Sequence, residues 1–348
     1  MENATRIIGI TGNIATGKSV VRNMLANLGV LGMDADVIAH RVIYPDGGAY
    51  QPVITAFGED ILNADGTVSR PRLGQIVFQD PHKLQQLEAL IHPAVTRAVQ
   101  ARLHPTSVPL ASVEAIKLLE SDLAEMCDAV WVSHASEEVQ LSRLMGIRGL
   151  SEDEARTRMA AQPSQTEKIA RADVVIATEG TFQDTWDQIC SALNDTIQLT
   201  TSRDASPLLQ QESLANLDAR WTAYAGQDGP SLYAVMGRQM VLHTEPDGLA
   251  LWDNHSFTAA MVKVLPPVSA DLLARFQTQA KHQACELLMI PQGLAAQHSL
   301  HPGENGFELL HPSDLAYPDW LQSAERALAG SEGTLWVKHL AQPVEKLR

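Results

Sequence analysis

Residues 12 to 19 form a complete phosphate-binding loop, and no other feature of the chain constrains the fold as strongly. The loop reads Gly12-Asn13-Ile14-Ala15-Thr16-Gly17-Lys18-Ser19, which matches the pattern G-x-x-x-x-G-K-S. An apolar run at 6–11 precedes it, and a helix-like stretch from Ser19 follows it. A buried strand that feeds a helix through such a loop surrounds an anion with backbone N–H groups. A glycine-rich turn without a nucleotide is the alternative, and these flanks disfavour it.

The motif predicts a nucleoside triphosphate with Mg²⁺, and the family resemblance described below implies that the nucleotide is ATP. Lys18 is expected to reach the β and γ oxygens of the triphosphate, and the Ser19 hydroxyl is expected to join the Mg²⁺ shell. The residues predicted to bind the nucleotide are contiguous: Gly12, Asn13, Ile14, Ala15, Thr16, Gly17, Lys18, Ser19 and Val20.

Length and charge limit the class of protein. A chain of 348 residues favours two domains, and its net charge of −15 argues against nucleic acid or an anionic membrane as the main partner. The three cysteines are isolated, the amino-terminal residues lack a basic region, and no apolar run is long enough to span a membrane. These features predict a cytoplasmic protein with reduced thiols.

The organisation of the chain changes near residue 200. Before it, short apolar runs alternate with helical patterns, which predicts an α/β fold with a parallel sheet and helices on both faces. The predicted strands are 6–11, 30–34, 110–116, 128–133 and 173–176, and the predicted helices are 18–28, 35–56, 71–104, 136–146, 151–161 and 181–194. We predict a P-loop domain at 1–198, a linker at 199–212 and a second, α+β domain at 213–348.

The second domain has its own pattern of elements. Short strands are predicted within 232–265, with turns at 245–248 and 253–255, followed by a helix at 269–283 and a strand at 285–290. Four of the six tryptophans lie in this half of the chain, so it can build a separate core.

Two aspartates follow the second predicted strand. Asp34 and Asp36 are two residues apart, so on a strand both carboxylates would face one pocket at its carboxyl end. Asp36 is the preferred group for orienting or deprotonating an acceptor hydroxyl. Asp34 is either a second ligand-facing carboxylate or the cap of a helix that begins near residue 36.

Over residues 6–195 the chain resembles the dephospho-CoA kinase family. The resemblance is carried by the loop at 10–19 and by ordered blocks at 34–39, 57–70, 87–93, 140–144, 149–155 and 168–176. It implies a core sheet, a helical insert that binds the acceptor, and a mobile lid. It also implies transfer of the ATP γ-phosphoryl group to the ribose 3′-hydroxyl of dephospho-CoA.

The resemblance implies further site residues. Arg143 and Arg148 flank the predicted lid and would close on the transferring phosphoryl group, although Arg143 is alternatively a solvated helix residue. His92 is expected to contact dephospho-CoA, or to pack locally where His92-Pro93 ends or kinks a helix. Arg70 is expected to meet an acceptor phosphate or to stay in solvent. Lys117 would add a cation for phosphates, or would pack its stem and extend its head into water.

The chain departs from the family at four places. Asn13 and Ala15 replace loop glycines, and Asn13 is expected to tolerate a positive φ. Lys117 lies in a block that usually begins Pro-Leu-Leu, and residue 147 is isoleucine where arginine is expected. Thr178 replaces an asparagine, which predicts weaker selectivity for the base.

The second domain faintly resembles the N-acyltransferase fold. Its residues 265–269 include two prolines where that fold has a pyrophosphate-binding loop, so acyl transfer is not expected. We predict an accessory domain that could mediate self-association, with the oligomeric state left open. Two rival functions remain for the first domain: a nucleotide-binding regulatory protein, and a P-loop kinase with another nucleoside-like or sugar acceptor.

Overall fold

The computed structural model describes two regular sheets. Its described residues are 5–103, 109–198, 214–216, 218–219, 240–245, 248–255, 259–264, 272–282, 287–297, 299–310 and 335–340. Within these ranges, no helix has both the length and the apolar character needed to cross a membrane. The predicted linker at 199–212 lies outside them.

The first sheet is five-stranded and entirely parallel. Its strands lie in the order β2-β3-β1-β4-β5: β1 (Arg6–Thr11), β2 (Leu31–Asp34), β3 (Leu110–Glu114), β4 (Ala129–His134) and β5 (Val174–Ala177). Asp34 pairs with Glu114 in the register, and Ile10 pairs with Glu114 and Trp131. The carboxyl ends of these strands therefore meet at one edge, which is where open α/β sheets bind ligands.

Nine α-helices of the described region accompany this sheet. They are α1 (Lys18–Asn27), α2 (Ala35–Arg41), α3 (Tyr50–Phe57), α4 (Arg70–Val77), α5 (Pro81–Leu103), α6 (Glu137–Arg148), α7 (Glu152–Ala160), α8 (Gln165–Ala170) and α9 (Phe182–Gln198). One buried cluster joins the sheet to α2–α5, and another joins the opposite face to α1 and α9. This arrangement confirms the predicted three-layer α/β fold.

Several predicted boundaries were wrong for local reasons. The helical stretch 35–56 is two helices, separated by a segment that contains two adjacent glycines, and β3 ends at Glu114 rather than at residue 116. Helix α5 continues through Pro93 to Leu103, so of the two alternatives for His92-Pro93 the structure excludes a helix end. Helix α8 was not predicted, and Ser164 caps it by accepting a hydrogen bond from the Thr166 amide at 3.2 Å.

The second sheet is mixed and has six strands in the order β10-β11-β9-β8-β7-β6. They are β6 (Met240–Glu245), β7 (Gly248–His255), β8 (Ala259–Val264), β9 (Leu287–Pro291), β10 (Glu308–Leu310) and β11 (Leu335–His339). Helix α10 (Leu272–His282) connects β8 to the parallel strand β9, and α11 (Gln292–Gln297) follows. The predicted turn at 253–255 is wrong, because these residues continue β7 and pair with β8.

A separate core stabilises this second unit. Phe276, Ala280, Leu288, Ile290 and Phe307 are buried together, with Trp336 packed against them. The predicted strand-and-helix composition is therefore present in the described part of the unit. The proline-containing loop at 265–269 lies outside the described residues, and the resemblance to N-acyltransferases stays a prediction.

Candidate active site

The phosphate-binding loop joins β1 to α1 at the carboxyl edge of the parallel sheet. Gly12 and Gly17 have φ values of 148° and 87°, and Ala15 has a φ of 61°. Among the non-glycine residues of the loop, Ala15 therefore adopts the positive φ, and not Asn13 as the sequence suggested. Amides at the start of α1 have no acceptor within the helix, so they are available to a phosphate.

Lys18 lies inside the loop with its charge buried. Its Nζ donates to the carbonyl oxygens of Gly12 at 3.0 Å and Asn13 at 3.1 Å, and the residue is 8% exposed. Burial lowers the pKa of Lys18, and the carboxylates of Glu114 and Asp36 oppose that change. The loop carbonyls thus hold the ammonium group, close enough to two acidic side chains for their charges to act on its pKa. Its contact with phosphate oxygens stays a prediction.

Ser19 points toward an acidic residue that the sequence reasoning missed. Its hydroxyl donates to Glu114 Oε1 at 2.8 Å, and Arg22 Nε contacts Glu114 Oε2 at 2.8 Å. The side chains of Arg22 and Glu114 are 6% and 5% exposed. An apolar strand that ends in an acidic residue is the available signal, since P-loop enzymes hold Mg²⁺ with such a carboxylate.

Asp34 caps helix α2. Its carboxylate accepts a hydrogen bond from the Val37 amide at 3.0 Å, which decides between the two readings of this residue in favour of the cap. Asp34 is also buried beside Glu114. Burial first, and then this neighbouring negative charge, raise the pKa of Asp34 to about 6, whereas Arg22 acts in the opposite direction.

Asp36 reaches the same pocket from a helix. We expected Asp34 and Asp36 to share one face of a strand, but β2 ends at Asp34 and Asp36 lies in the first turn of α2. Asp36 is exposed at the cleft, and partial desolvation raises the pKa of its carboxyl group. Lys18, the Ile116 amide and Lys168 lower that pKa, and Glu114 raises it. An accessible carboxylate therefore faces the loop ammonium.

Charged side chains of α2, α4, α5 and the segment after β3 contact one another in pairs, and we refer to them as the acceptor wall. Arg70 lies 3.0 Å from His40 Nε2 and helps to lower the pKa of that histidine, after the larger effect of burial. Lys117 follows the end of β3 and pairs with Glu88 of α5 at 2.5 Å. His92 is half-buried on α5, one helical turn beyond Glu88.

The two lid arginines have different surroundings. Arg148 ends α6 close enough to Lys18 for its charge to lower the pKa of that lysine. Arg143 Nη1 instead donates to the Ala15 carbonyl at 3.0 Å and to the Thr178 hydroxyl at 3.1 Å. In the structure Arg143 is therefore hydrogen-bonded to the outside of the loop. The Thr178 hydroxyl also contacts the Thr16 carbonyl at 2.8 Å, so it is engaged by the protein.

A segment after α7 contacts the loop through side chains that received no predicted role. Gln162 accepts from the Ile14 amide at 2.6 Å, and Gln165 accepts from the Asn13 amide at 2.9 Å. A glutamine is uncharged, so nothing in the sequence marks it as a functional residue. Its role becomes visible only when the structure shows the hydrogen-bond partners of its side chain.

Comparisons with known proteins agree with this geometry. The profile of one family, described as dephospho-CoA kinase, matches residues 6–184, which is more than half of the chain. The chain belongs to the dephospho-CoA kinase family. Its first unit is accordingly a nucleotide-binding phosphotransferase of coenzyme A biosynthesis, as the resemblance predicted.

Individual dephospho-CoA kinases and one solved structure each match about half of the chain. A dephospho-CoA kinase from Geobacter sulfurreducens is 42% identical over 178 residues, covering 50% of this chain and 90% of the relative. One from Shouchella clausii is 42% identical over 192 residues, covering 54% and 98%. The crystal structure of TT1252 from Thermus thermophilus has a TM-score of 0.50 at 30% identity and covers 57% of this chain and 99% of its own.

Proposed function

We propose that the first unit transfers the γ-phosphoryl group of ATP to the ribose 3′-hydroxyl of dephospho-CoA, giving CoA. The single observation that carries this proposal is the exposed carboxylate of Asp36 in the first turn of α2, close enough to the buried Lys18 ammonium group for each charge to act on the pKa of the other. Lys18 and the loop amides would hold the triphosphate. Asp36 would accept the proton of the attacking hydroxyl or orient it, and Arg148 would approach the transferring group from the lid.

The residues around Ser19 fit Mg²⁺. They supply oxygen donors, and the like charges of Asp34 and Glu114 leave negative charge that a hard cation would neutralise. Ser19 and Glu114 are the proposed ligands. Among the described residues no group of three or more His, Cys, Asp or Glu side chains could hold a metal alone, which agrees with an ion bound largely by phosphates and water. When bound, the ion would neutralise charge on the β and γ oxygens.

The cleft wall opposite the loop suits a phosphorylated acceptor. Arg70 with His40, and Lys117 with Glu88, place cationic donors on separate elements around Asp36. We assign Arg70 and Lys117 to the phosphates of dephospho-CoA and His92 to its adjoining part. Arg143, fixed to Ala15 and Thr178, is assigned to the nucleotide side of the lid.

A coupled assay of ADP formation tests this function. The full-length protein, ATP and Mg²⁺ should give rapid turnover with dephospho-CoA and none with a nucleoside or a sugar acceptor. Turnover with one of those acceptors alone would make the chain a different P-loop kinase. Nucleotide binding without turnover above the Asp36→Asn background would make it a regulatory protein.

The second unit is proposed to be a non-catalytic accessory domain that mediates self-association. The match to the dephospho-CoA kinase from Shouchella clausii covers 98% of that protein and 54% of this chain, so a dephospho-CoA kinase can be about as long as the first unit. Light scattering of the full chain and of residues 1–198 should show an oligomer that the shorter chain lacks. We further propose that the enzyme acts in the cytoplasm, which the free thiols of Cys127 and Cys190 support.

A further inference from the structure

Lys168, on helix α8, is a buried ammonium group to which the assignments above give no role. The residue is 2% exposed, and its Nζ donates to the Ile116 carbonyl at 2.8 Å. Among the described residues this carbonyl is the one protein acceptor of that ammonium group. A buried charge is costly unless it is paired, so the placement calls for a negative partner.

The residue whose carbonyl Lys168 holds lies next to Asp36. The Ile116 carbonyl also accepts from the Thr11 hydroxyl at 3.2 Å, while the Ile116 amide acts on the Asp36 carboxylate. The carbonyl and the amide belong to the two peptide units on either side of the Ile116 Cα, so Lys168 restrains the backbone of the residue whose N–H group contacts the carboxylate. A change in the Ile116 backbone dihedrals would withdraw that N–H group from Asp36.

Helix α8 is fixed at its other end to the phosphate-binding loop. Gln165 accepts from the Asn13 amide and donates to the Ser133 carbonyl at 2.8 Å, and Gln162 accepts from the Ile14 amide. Residues 162–168 therefore contact the phosphate-binding loop at one end and Ile116, next to Asp36, at the other. The distance between the loop and Asp36 depends on this segment.

Charged groups from several elements surround this contact. Asp36 faces Lys18 on α1, Glu114 on β3, Lys168 on α8 and the neighbouring Asp34. Lys168 in turn faces Glu120 and Asp36. The negative partners of the buried ammonium are thus Glu120 and the proposed acceptor-side carboxylate.

We propose that Lys168 is a positioning residue for phosphoryl transfer, which restrains the backbone of Ile116 so that its amide stays against Asp36, and which sets the distance of that carboxylate from the phosphate-binding loop. The inference rests on the proposed role of Asp36. Because Lys168 acts through Asp36, its removal should affect the chemical step and leave nucleotide binding intact.

The test compares Lys168→Met and Lys168→Arg in the full-length protein, with Lys83→Met as the matched control. Lys83 is exposed near the start of α5. Steady-state kinetics should show kcat reduced about 10²-fold in Lys168→Met, the size expected for a misplaced reacting group, with an unchanged KM for ATP. Lys168→Arg retains a cationic donor and should recover most of kcat, and Lys83→Met should match the wild type.

Two results would overturn the inference. The first is a kcat of Lys168→Met equal to that of Lys83→Met. The second is a lower kcat in both Lys168→Met and Lys168→Arg together with a lower Tm, which would show a role in folding alone. Asp36→Asn is measured in parallel. If Asp36→Asn is inactive while Lys168→Met is normal, the role of Lys168 alone fails. If Asp36→Asn is fully active, the proposed role of Asp36 fails, and the inference with it.

Discussion

The two walls of the active site are built in different ways. On the donor side, eight consecutive residues form a loop whose backbone groups and single buried lysine are held by hydrogen bonds within the protein. On the acceptor side, Asp36, Arg70 and Lys117 come from separate elements and are exposed or paired in solvent. Contacts within the protein thus hold the donor side in place, whereas the charged groups of the proposed acceptor side are exposed to solvent, where a substrate can reach them.

This difference determines how each wall should respond to substitution. A preorganised, buried group contributes strongly because it does not reorganise during the reaction. An exposed ion pair contributes little on its own, because water screens it and two flexible side chains must be ordered. We therefore expect large losses on the donor side, a large loss at Asp36 because it meets the reacting hydroxyl, and smaller losses elsewhere on the acceptor side.

The largest effect is expected for Lys18→Met. Removing the ammonium group leaves charge on the transferring phosphoryl group uncompensated, which should lower kcat by about 10³–10⁵-fold, the range known for cations in this role. Lys117→Met, which removes an exposed lysine from the acceptor wall, should leave kcat nearly unchanged. Steady-state kinetics of the two variants check the comparison, and equal losses would contradict it.

Asp36→Asn should lower kcat by about 10²–10⁴-fold, the usual contribution of a positioned acid or base. The amide is nearly isosteric with the carboxylate, but it cannot accept the proton of the hydroxyl. ATP affinity, measured by calorimetry, should be retained, since Lys18 and the loop remain. A variant that lost ATP binding together with kcat would place Asp36 on the donor side.

Gly12→Ala should weaken ATP binding by about 10–100-fold. A Cβ at Gly12 would lie 2.6 Å from the Ser133 carbonyl, the Ser133 hydroxyl and the Thr16 hydroxyl, and its φ of 148° disfavours a side chain. Strain of about 1–3 kcal/mol corresponds to this range. Gly146→Ala is the matched control, because no atom lies within 4 Å of its Cβ position. Similar affinities for both variants would contradict the account.

The sequence predicted the donor side because a contiguous motif specifies it. The order of most strands and helices followed from periodicity, and the loop that carries Lys18 and Ser19 joins β1 to α1 as predicted. Contacts between residues far apart in the sequence depend on the tertiary structure, so the roles of Glu114, Gln162 and Lys168 were not predicted. Asp36 lies on a helix and not on a strand as predicted, because β2 ends at Asp34 and Asp34 caps α2. The catalytic role of Asp36 stays a proposal.

Arg70→Ala should raise the KM for dephospho-CoA about tenfold, which corresponds to loss of one charge-assisted hydrogen bond, and should leave the KM for ATP unchanged. Arg156→Ala is the control, because Arg156 forms an exposed pair with Glu152 on α7, away from this wall. An equal rise in both KM values would show that Arg70 supports the fold rather than the acceptor.

The smallest effect concerns stability. The folded structure raises the pKa of Asp34 from 3.8 to about 6. The protonated carboxyl group therefore adds to the free energy of unfolding, and this contribution is lost as the pH rises through that interval. Asp34→Asn keeps the helix cap and removes the charge. It should stabilise the ligand-free protein by up to about 3 kcal/mol at pH 8 and hardly at pH 4. Thermal unfolding at both pH values checks this, and a destabilised variant at pH 8 would contradict it.

Phosphorus NMR of the reaction mixture tests the central claim most directly, because it identifies where the phosphoryl group goes. The full-length protein with ATP, Mg²⁺ and dephospho-CoA should produce ADP and a new ribose phosphomonoester in equal amounts, and Asp36→Asn should produce neither at a comparable rate. Formation of ADP with inorganic phosphate and no monoester would contradict a transfer from the loop to a hydroxyl held at Asp36.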